Sequence, residues 1–427
     1  MLYRMSIVAM SNVAAIKGPL SGIRILDLTH VWAGPLATRI FSDLGAEVIK
    51  IERALGRGTK VASAEPIAGW LGGEPGEEPW NNNAAFAKLA RNAQSIALDL
   101  KLPKGKELFL ELVAKADVVI ENFSARAMPS MQLGWEALTK HNPRLIYITM
   151  PGYGTNGPYK DWVAFGPTVE PMTGLSQMLG YNESEPRNTA MALMDPIAGT
   201  TATTALLTAL REREETGLGA FVEMSLHEAG TVFNGPWLID YQLGGELKPY
   251  GNAHPQMAPH GVYQCQSRGL EDDADWVAIA CENKADWCNL LRLLDADFDP
   301  DCGLDDRQHH SIEIDLAITA WTLQFDKHEA AERLQGVGIP AGPVATAPDM
   351  LAEAQAVERD FFVPLERFAT PVPGNPIRMQ GLSSKDWSPC PSLGAQSQQI
   401  LQTWLGYTPS ETMGFLASGI IAEAPPD

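Results

Sequence analysis

Short apolar runs alternate with longer amphipathic ones through the first half of the chain. "GIRILDL" (Gly22–Leu28) has the make-up of a strand. "AGPLATRIFSDLG" after it carries helix signals, with Pro35 near its start and Gly45 at its end. "AEVIKIE" (Ala46–Glu52) is a second strand, so the segment reads as β-α-β, the unit of a parallel sheet. The pattern recurs in "SIALDL", a helix "PKGKELFLELVAKA", "DVVIENF", a helix "GWEALTKHNP" and "RLIYITM". Residues 20–150 therefore predict a doubly wound α/β layer. "DPIAGTTATTALLTALREREETGLG" follows as a long helix closing on Gly217, then a strand "AFVEMSL" and one further helix "HEAGTVFNGPWLIDYQLGG".

The rhythm then changes. "KPYGNAHPQMAPHG" (Lys248–Gly261) is a Pro/Gly/His loop with the character of a boundary, and "GVGIPAGPVAT" (Gly336–Thr346) is a second such stretch. Between them lie a strand-helix segment (Trp276–Leu294) and the acidic loop Asp295–Asp306. "TPSE" (Thr408–Glu411) has the spacing of a capping box for a last helix.

Composition narrows the class of protein. The 427 residues are 45% hydrophobic and 20% charged, a globular profile with room for two domains. No apolar run is long enough to span a membrane. The first eighteen residues, broken by Ser11 and Asn12, read as a loosely packed extension and not as a signal peptide. Five cysteines without a CxxC pair suit free thiols in a reducing cytoplasm. A net charge of −20 argues against nucleic acid as partner, yet permits one anionic ligand on a local basic cluster.

Four features carry candidate chemistry. Asp195 is the only charge in "ALMDPIAGTT". With Pro196 after it, the residue reads first as a helix N-cap, a reading compatible with a carboxylate nucleophile held ionised at a helix N-terminus. Its small neighbours Ala198, Gly199 and Thr200 would leave room for a substrate. "GYGTNG" (Gly152–Gly157) spells GxGxxG after a strand, but Pro158, Pro167 and Pro171 deny it the helix of a dinucleotide fingerprint. A glycine-rich active-site loop fits better. Lys50, Arg53, Arg57 and Lys60 cluster at the end of a parallel strand, where α/β sheets bind ligands. They read either as a phosphate site or as a solvated loop. The paired histidines His254/His260 and His309/His310 have no metal-site spacing, so no metal is expected.

In order along the chain, these blocks resemble the class III CoA-transferases of the formyl-CoA and carnitine type. The matching stretches are "GPLSGIRILDLTHVWAGPLATRIFSDLGAEVIKIER", "SIALDLKLPKGKELFLELVAKADVVIENF", "NPRLIYITMPGYGTNGPY", "MDPIAGTTATTALLTALREREETGLGAFVEMSL" and "VGIPAGPV". The resemblance implies a Rossmann-like large domain (residues 1–235, with 336–427 returning to it), a linker at 236–250, a smaller α+β domain at 251–335, and an interlocked dimer. It implies Asp195 as the acyl acceptor, with CoA passing from a thioester donor to a free acid through aspartyl anhydride and aspartyl-CoA intermediates. No cofactor is tightly bound in that scheme, because CoA is a substrate. Val31, Trp32, Ala33, Arg53, Arg57, Leu98, Lys101, Asn122 and Phe123 fall at CoA-contact positions. Phe165 falls where an active-site aromatic stands, and Glu170 near a substrate position.

Departures qualify that likeness. Trp32 stands where the formyl-CoA enzyme has Gln, which points away from oxalate as acceptor. Gly166 stands where that enzyme has Glu, and the usual Asn-Lys-Arg is Asn92-Ala93-Gln94. Phe165 takes the place of a racemase histidine and cannot move a proton, which counts against the racemases of the same fold. Trp32, Trp162 and Phe165 suit either an apolar acyl pocket or the core. A CoA-binding subunit of a hetero-oligomer is a further alternative.

Overall fold

The runs Arg24–Asp27 (β1), Glu47–Glu52 (β2), Gln94–Leu98 (β3), Val118–Glu121 (β4), Ile146–Thr149 (β5) and Ala220–Glu223 (β6) pair in parallel. The structure is a computed structural model that describes residues 18–57, 69–267 and 275–426. The expectations for the N-terminal stretch and for Lys60 lie outside the described residues. Strands β4 and β5 are buried at every position, which accounts for the apolar stretches Val118–Ile120 and Ile146–Ile148 in the sequence. β6 sits at an edge of the sheet and alternates in burial.

Of the described residues, one compact unit takes in those up to Gly174, Thr189–Pro236 and those from Arg359 on. Its sheet runs β3-β2-β1-β4-β5-β6, the order of the doubly wound fold. A two-residue strand, Ile421–Ala422, adds antiparallel beside β3, with Ile421 opposite Leu98. That strand is too short to leave a periodic signal and was not legible in the sequence. One face of the sheet (Leu26, Ile49, Ile96) packs on Leu108, Phe109 and Leu112 of the helix Pro103–Val113 and on Leu401 of the helix Ser397–Leu405. Each such fully buried side chain contributes about 1.5–3 kcal/mol. The expected capping box forms: Glu411 N–H donates to Thr408 Oγ1 at 3.3 Å, and Thr408 N–H to the Glu411 carboxylate at 2.7 Å.

The second unit comprises Leu175–Asn188 and Trp237–Glu358. Strands His260–Gln264 (β7), Trp276–Ala280 (β8) and Ala341–Pro343 (β9) form an antiparallel sheet. Helices Lys284–Leu294, Ser311–Thr322 and Lys327–Gly336 close a core around Trp287, Ile279, Leu290 and Ile318. This unit departs from the expected boundaries at both ends. It runs past residue 335 because β9 pairs with β8, and it includes Leu175–Asn188, where Gly180 C=O accepts from Gly251 N–H at 2.9 Å. The single helix expected after β6 is two, Leu226–Phe233 and Gly235–Gln242. They break at Asn234, whose amide turns to the Thr173 carbonyl at 3.1 Å, just before Pro236. No helix among the described residues is long and apolar enough to cross a membrane.

Candidate active site

The strand order reverses between β1 and β4, and a crevice at such a switch point is where doubly wound sheets take ligands. Asn122, just past β4, closes this point from both sides. Its Oδ1 accepts from His30 N–H at 2.7 Å and its Nδ2 donates to His30 C=O at 2.8 Å. The His30 ring lies 5.3 Å from that of Phe123. Glu121, a residue the sequence did not flag, anchors the same turn. Its buried carboxylate accepts from Phe123 N–H at 2.7 Å and from the Tyr147 hydroxyl at 2.9 Å, and burial raises its pKa. Val31 takes φ +66°, a left-handed conformation uncommon for a β-branched residue. Trp32 follows, and the helix Ala33–Asp43 (α1) begins.

Asp195 lies in the first turn of the helix Met194–Thr216 (α2). It is not the N-cap that the sequence suggested. Ala192 takes φ +49° and Leu193 is already helical, so the helix starts earlier and Asp195 N–H bonds back to Ala192 C=O at 3.0 Å. The buried positions of α2 (Asp195, Ala198, Gly199, Ala202, Leu206, Ala209) recur at helical spacing, and α1 packs against them. Gly199 sets how near the two helices come: a Cβ there would stand 2.7 Å from Ala33 C=O. Gly199 and the fully buried Ala198 thus serve helix packing, while Thr200 stays exposed.

That close approach delivers the Ala33 amide to the Asp195 carboxylate. The amides of Gly166 and of Asp195 itself bond to it as well. Gly166 opens the short helix Gly166–Val169, so backbone N–H groups from three helix starts meet one carboxylate. The fit is tight: a Cβ on Gly166 would stand 1.9 Å from Asp195 Oδ2. Asp195 is 8% exposed. Burial raises its pKa to about 6 against the pull of the three amides. The group is therefore mainly ionised at neutral pH and more basic than an ordinary aspartate.

Glu170, expected near a substrate position, is turned into the protein interior. It is fully buried, and its two oxygens accept from Thr189 N–H at 2.5 Å and Thr189 Oγ1 at 2.6 Å. It pins the strand of chain that leads into Asp195. Phe165 and Trp162 are exposed, which removes the core reading of both.

Two cavities open beside the switch point. One, of about 660 Å³, is lined by Val31, Trp32, Lys50, Arg57 and Phe86; the other, of about 240 Å³, by Arg53, Leu98, Lys101 and Phe123. His30 and Glu52 line both. The basic cluster divides accordingly. Lys50 is buried against Asp27 Oδ2 (3.2 Å) and Thr29 C=O (2.7 Å). Arg57 grips both oxygens of Glu52 at 2.7 and 2.5 Å, reaches Asn81 and Pro391, and covers the Phe86 ring at 3.8 Å. Both belong to the wall, and Arg53 and Lys101 keep exposed side chains. "GYGTNG" forms a loop without an opening helix, tied through Thr155 N–H to Glu223 at 2.7 Å. Among the described residues no cluster of His, Cys, Asp or Glu could hold a metal.

Residues 20–397 match CoA-transferase family III. The succinyl-CoA–D-citramalate CoA-transferase of Chloroflexus aurantiacus is 30% identical, over 94% of this chain and 98% of that protein. The succinate–glutarate CoA-transferase of Agrobacterium fabrum is 31% identical, over 90% and 95%. The crystal structure of a CAIB/BAIF family protein from Brucella suis superposes with a TM-score of 0.80 at 28% identity, covering 91% of this chain and 99% of that one. A doubly wound sheet, a carboxylate ringed by amides at its switch point and matches along nearly the whole chain agree: this protein belongs to CoA-transferase family III.

Proposed function

We propose that this enzyme moves CoA from an acyl-CoA thioester to a free carboxylic acid, with Asp195 as the covalent acceptor. The observation that carries this reading is the Asp195 carboxylate under three backbone amides, buried and raised to a pKa of about 6. The ionised carboxylate attacks the thioester carbonyl and CoA thiolate leaves, giving a mixed anhydride. The thiolate attacks the aspartyl carbonyl, giving an aspartyl-CoA thioester and releasing the donor acid. The acceptor carboxylate then attacks that thioester, and the returning thiolate takes the acceptor's acyl group and frees Asp195. Each step trades one activated acyl group for another, so no nucleotide is consumed. The amides of Ala33 and Gly166 that meet the carboxylate suit the oxyanion formed on the aspartyl carbon in each addition.

Arg53 and Lys101 are the cations we assign to CoA phosphates. Asn122 and Phe123 shape the crevice, and Glu170 acts through Thr189 as a positioning residue. We assign the working form to an interlocked dimer, as the family resemblance implies, in the reducing cytoplasm that unpaired cysteines suit. The test is chemical trapping. The protein is incubated with acyl-CoAs and quenched with hydroxylamine or borohydride, and its peptides are mapped by mass spectrometry with Asp195→Ala as control. A hydroxamate or reduced side chain at Asp195 is expected. No adduct with any thioester, alongside exchange of the substrate α-proton into deuterated water, would replace the transferase by a racemase.

A further inference from the structure

We infer that the acyl group handled at Asp195 is uncharged and apolar, the acyl group of a monocarboxylic acid and not of a dicarboxylic one. The inference rests on Asp195 as acyl acceptor. Three segments reach its carboxylate: Val31–Leu36 through the Ala33 amide, Trp162–Gly174 through the Gly166 amide, and Thr189–Thr201, which carries Asp195. None of these segments contains a Lys, Arg or His. Their only charges are Asp195 and Glu170, and Glu170 is fully buried on Thr189.

The cations nearest in sequence are directed elsewhere or lie off the segments. His30 has its ring against Phe123, Lys160 lies two residues before Trp162, and Arg187, two residues before Thr189, pairs with Glu185 at 2.9 Å. Lys50 and Arg57, in the cavity that Val31 lines, are held by Asp27 and Glu52. Arg126, the cation adjacent to this loop, is held by Asp161 at 3.0 Å. What the three segments do present is apolar surface. Val31 is 70% exposed, Phe165, next to Gly166, is 55% exposed, and Met191, next to Ala192, is 62% exposed. The Ala192 Cβ in turn lies 2.9 Å from where a Gly166 Cβ would be, which keeps Met191 in this neighbourhood.

A second carboxylate on the acyl group would meet the negative charge of Asp195 with no cation from these segments to answer it. Desolvating an unpaired charge is costly. An aliphatic or aryl chain would instead cover side chains that are now wet. By their names, the Chloroflexus and Agrobacterium relatives handle succinate, citramalate and glutarate, so this chain would differ from them in substrate charge.

The experiment is isotope exchange between a labelled free acid and its own CoA thioester, which needs no guess about the second substrate. The full-length protein is assayed with butyrate and 3-phenylpropionate against succinate and glutarate. The expected result is a kcat/KM for the apolar pairs at least about tenfold above that of the dicarboxylates. Faster exchange of succinate overturns the inference and leaves Asp195 as nucleophile intact. No exchange with any pair, together with no trapped adduct, overturns both. Met191→Lys supplies the missing cation at an exposed position. It is expected to move the succinate-to-butyrate ratio up about fivefold or more, and an unchanged ratio overturns the placement of the acyl chain on these segments.

Discussion

Gly166 leaves no space for a side chain beside Asp195: its amide bonds to the carboxylate, and a methyl group at its Cα would stand 1.9 Å from Asp195 Oδ2 and 2.9 Å from the Ala192 Cβ. Gly166→Ala is therefore expected to displace the Asp195 carboxylate, which we propose as the nucleophile. The expected outcome is a loss of about 10²–10³ in kcat, the size of effect that follows when one oxyanion donor no longer lines up with its acceptor, with a circular dichroism spectrum like that of the wild type. A variant that keeps more than half of its kcat would remove the Gly166 amide from the chemistry.

The pH dependence follows from the Asp195 pKa of about 6, raised from 3.8 first of all by burial. Attack needs the ionised form, so kcat/KM is expected to rise through about pH 6 and level off above it. A limb near pH 4, or a flat profile from pH 5 to 8, would contradict this.

Stability runs the other way. A carboxyl whose folded pKa lies above its unfolded one binds its proton more tightly in the fold. The ionised form therefore costs stability, and that cost grows as pH rises from about 4 through 6. Asp195→Asn is accordingly expected to raise Tm at pH 8, with the gain gone at pH 4, in thermal melts at both values.

Arg53 and Arg57 are expected to separate ligand binding from folding. Arg57 has a side chain only 3% exposed and holds Glu52, itself 4% exposed, so Arg57→Ala leaves a buried carboxylate unpaired and is expected to cost about 3–5 kcal/mol in denaturant unfolding. Arg53→Ala is expected to leave the unfolding midpoint in place and to weaken CoA binding by about tenfold in calorimetric titration. The reverse pattern would move the phosphate contact to Arg57.

The order of strands and helices was written in the sequence, because buried parallel strands need unbroken apolar runs and the helices between them need a 3.6-residue stripe with Pro and Gly at their ends. Asp195 was legible too, as the lone charge in a run of small residues and by its place in the family's block. Its surroundings were not. A backbone amide leaves no mark in a sequence, so the convergence of Ala33 and Gly166 on one carboxylate appears only when α1 and α2 pack across Gly199. Four basic residues in one stretch looked alike until Lys50 and Arg57 turned inward to Asp27 and Glu52 and left Arg53 outside. Glu170 and Asn122 had the right chemistry for ligand contact, and only the tertiary structure shows the partners that hold them: Thr189 for the first and His30 for the second. Spacing along the chain fixed which elements form. Which polar atoms remain free for a ligand was decided by what each of them met once the sheet was closed.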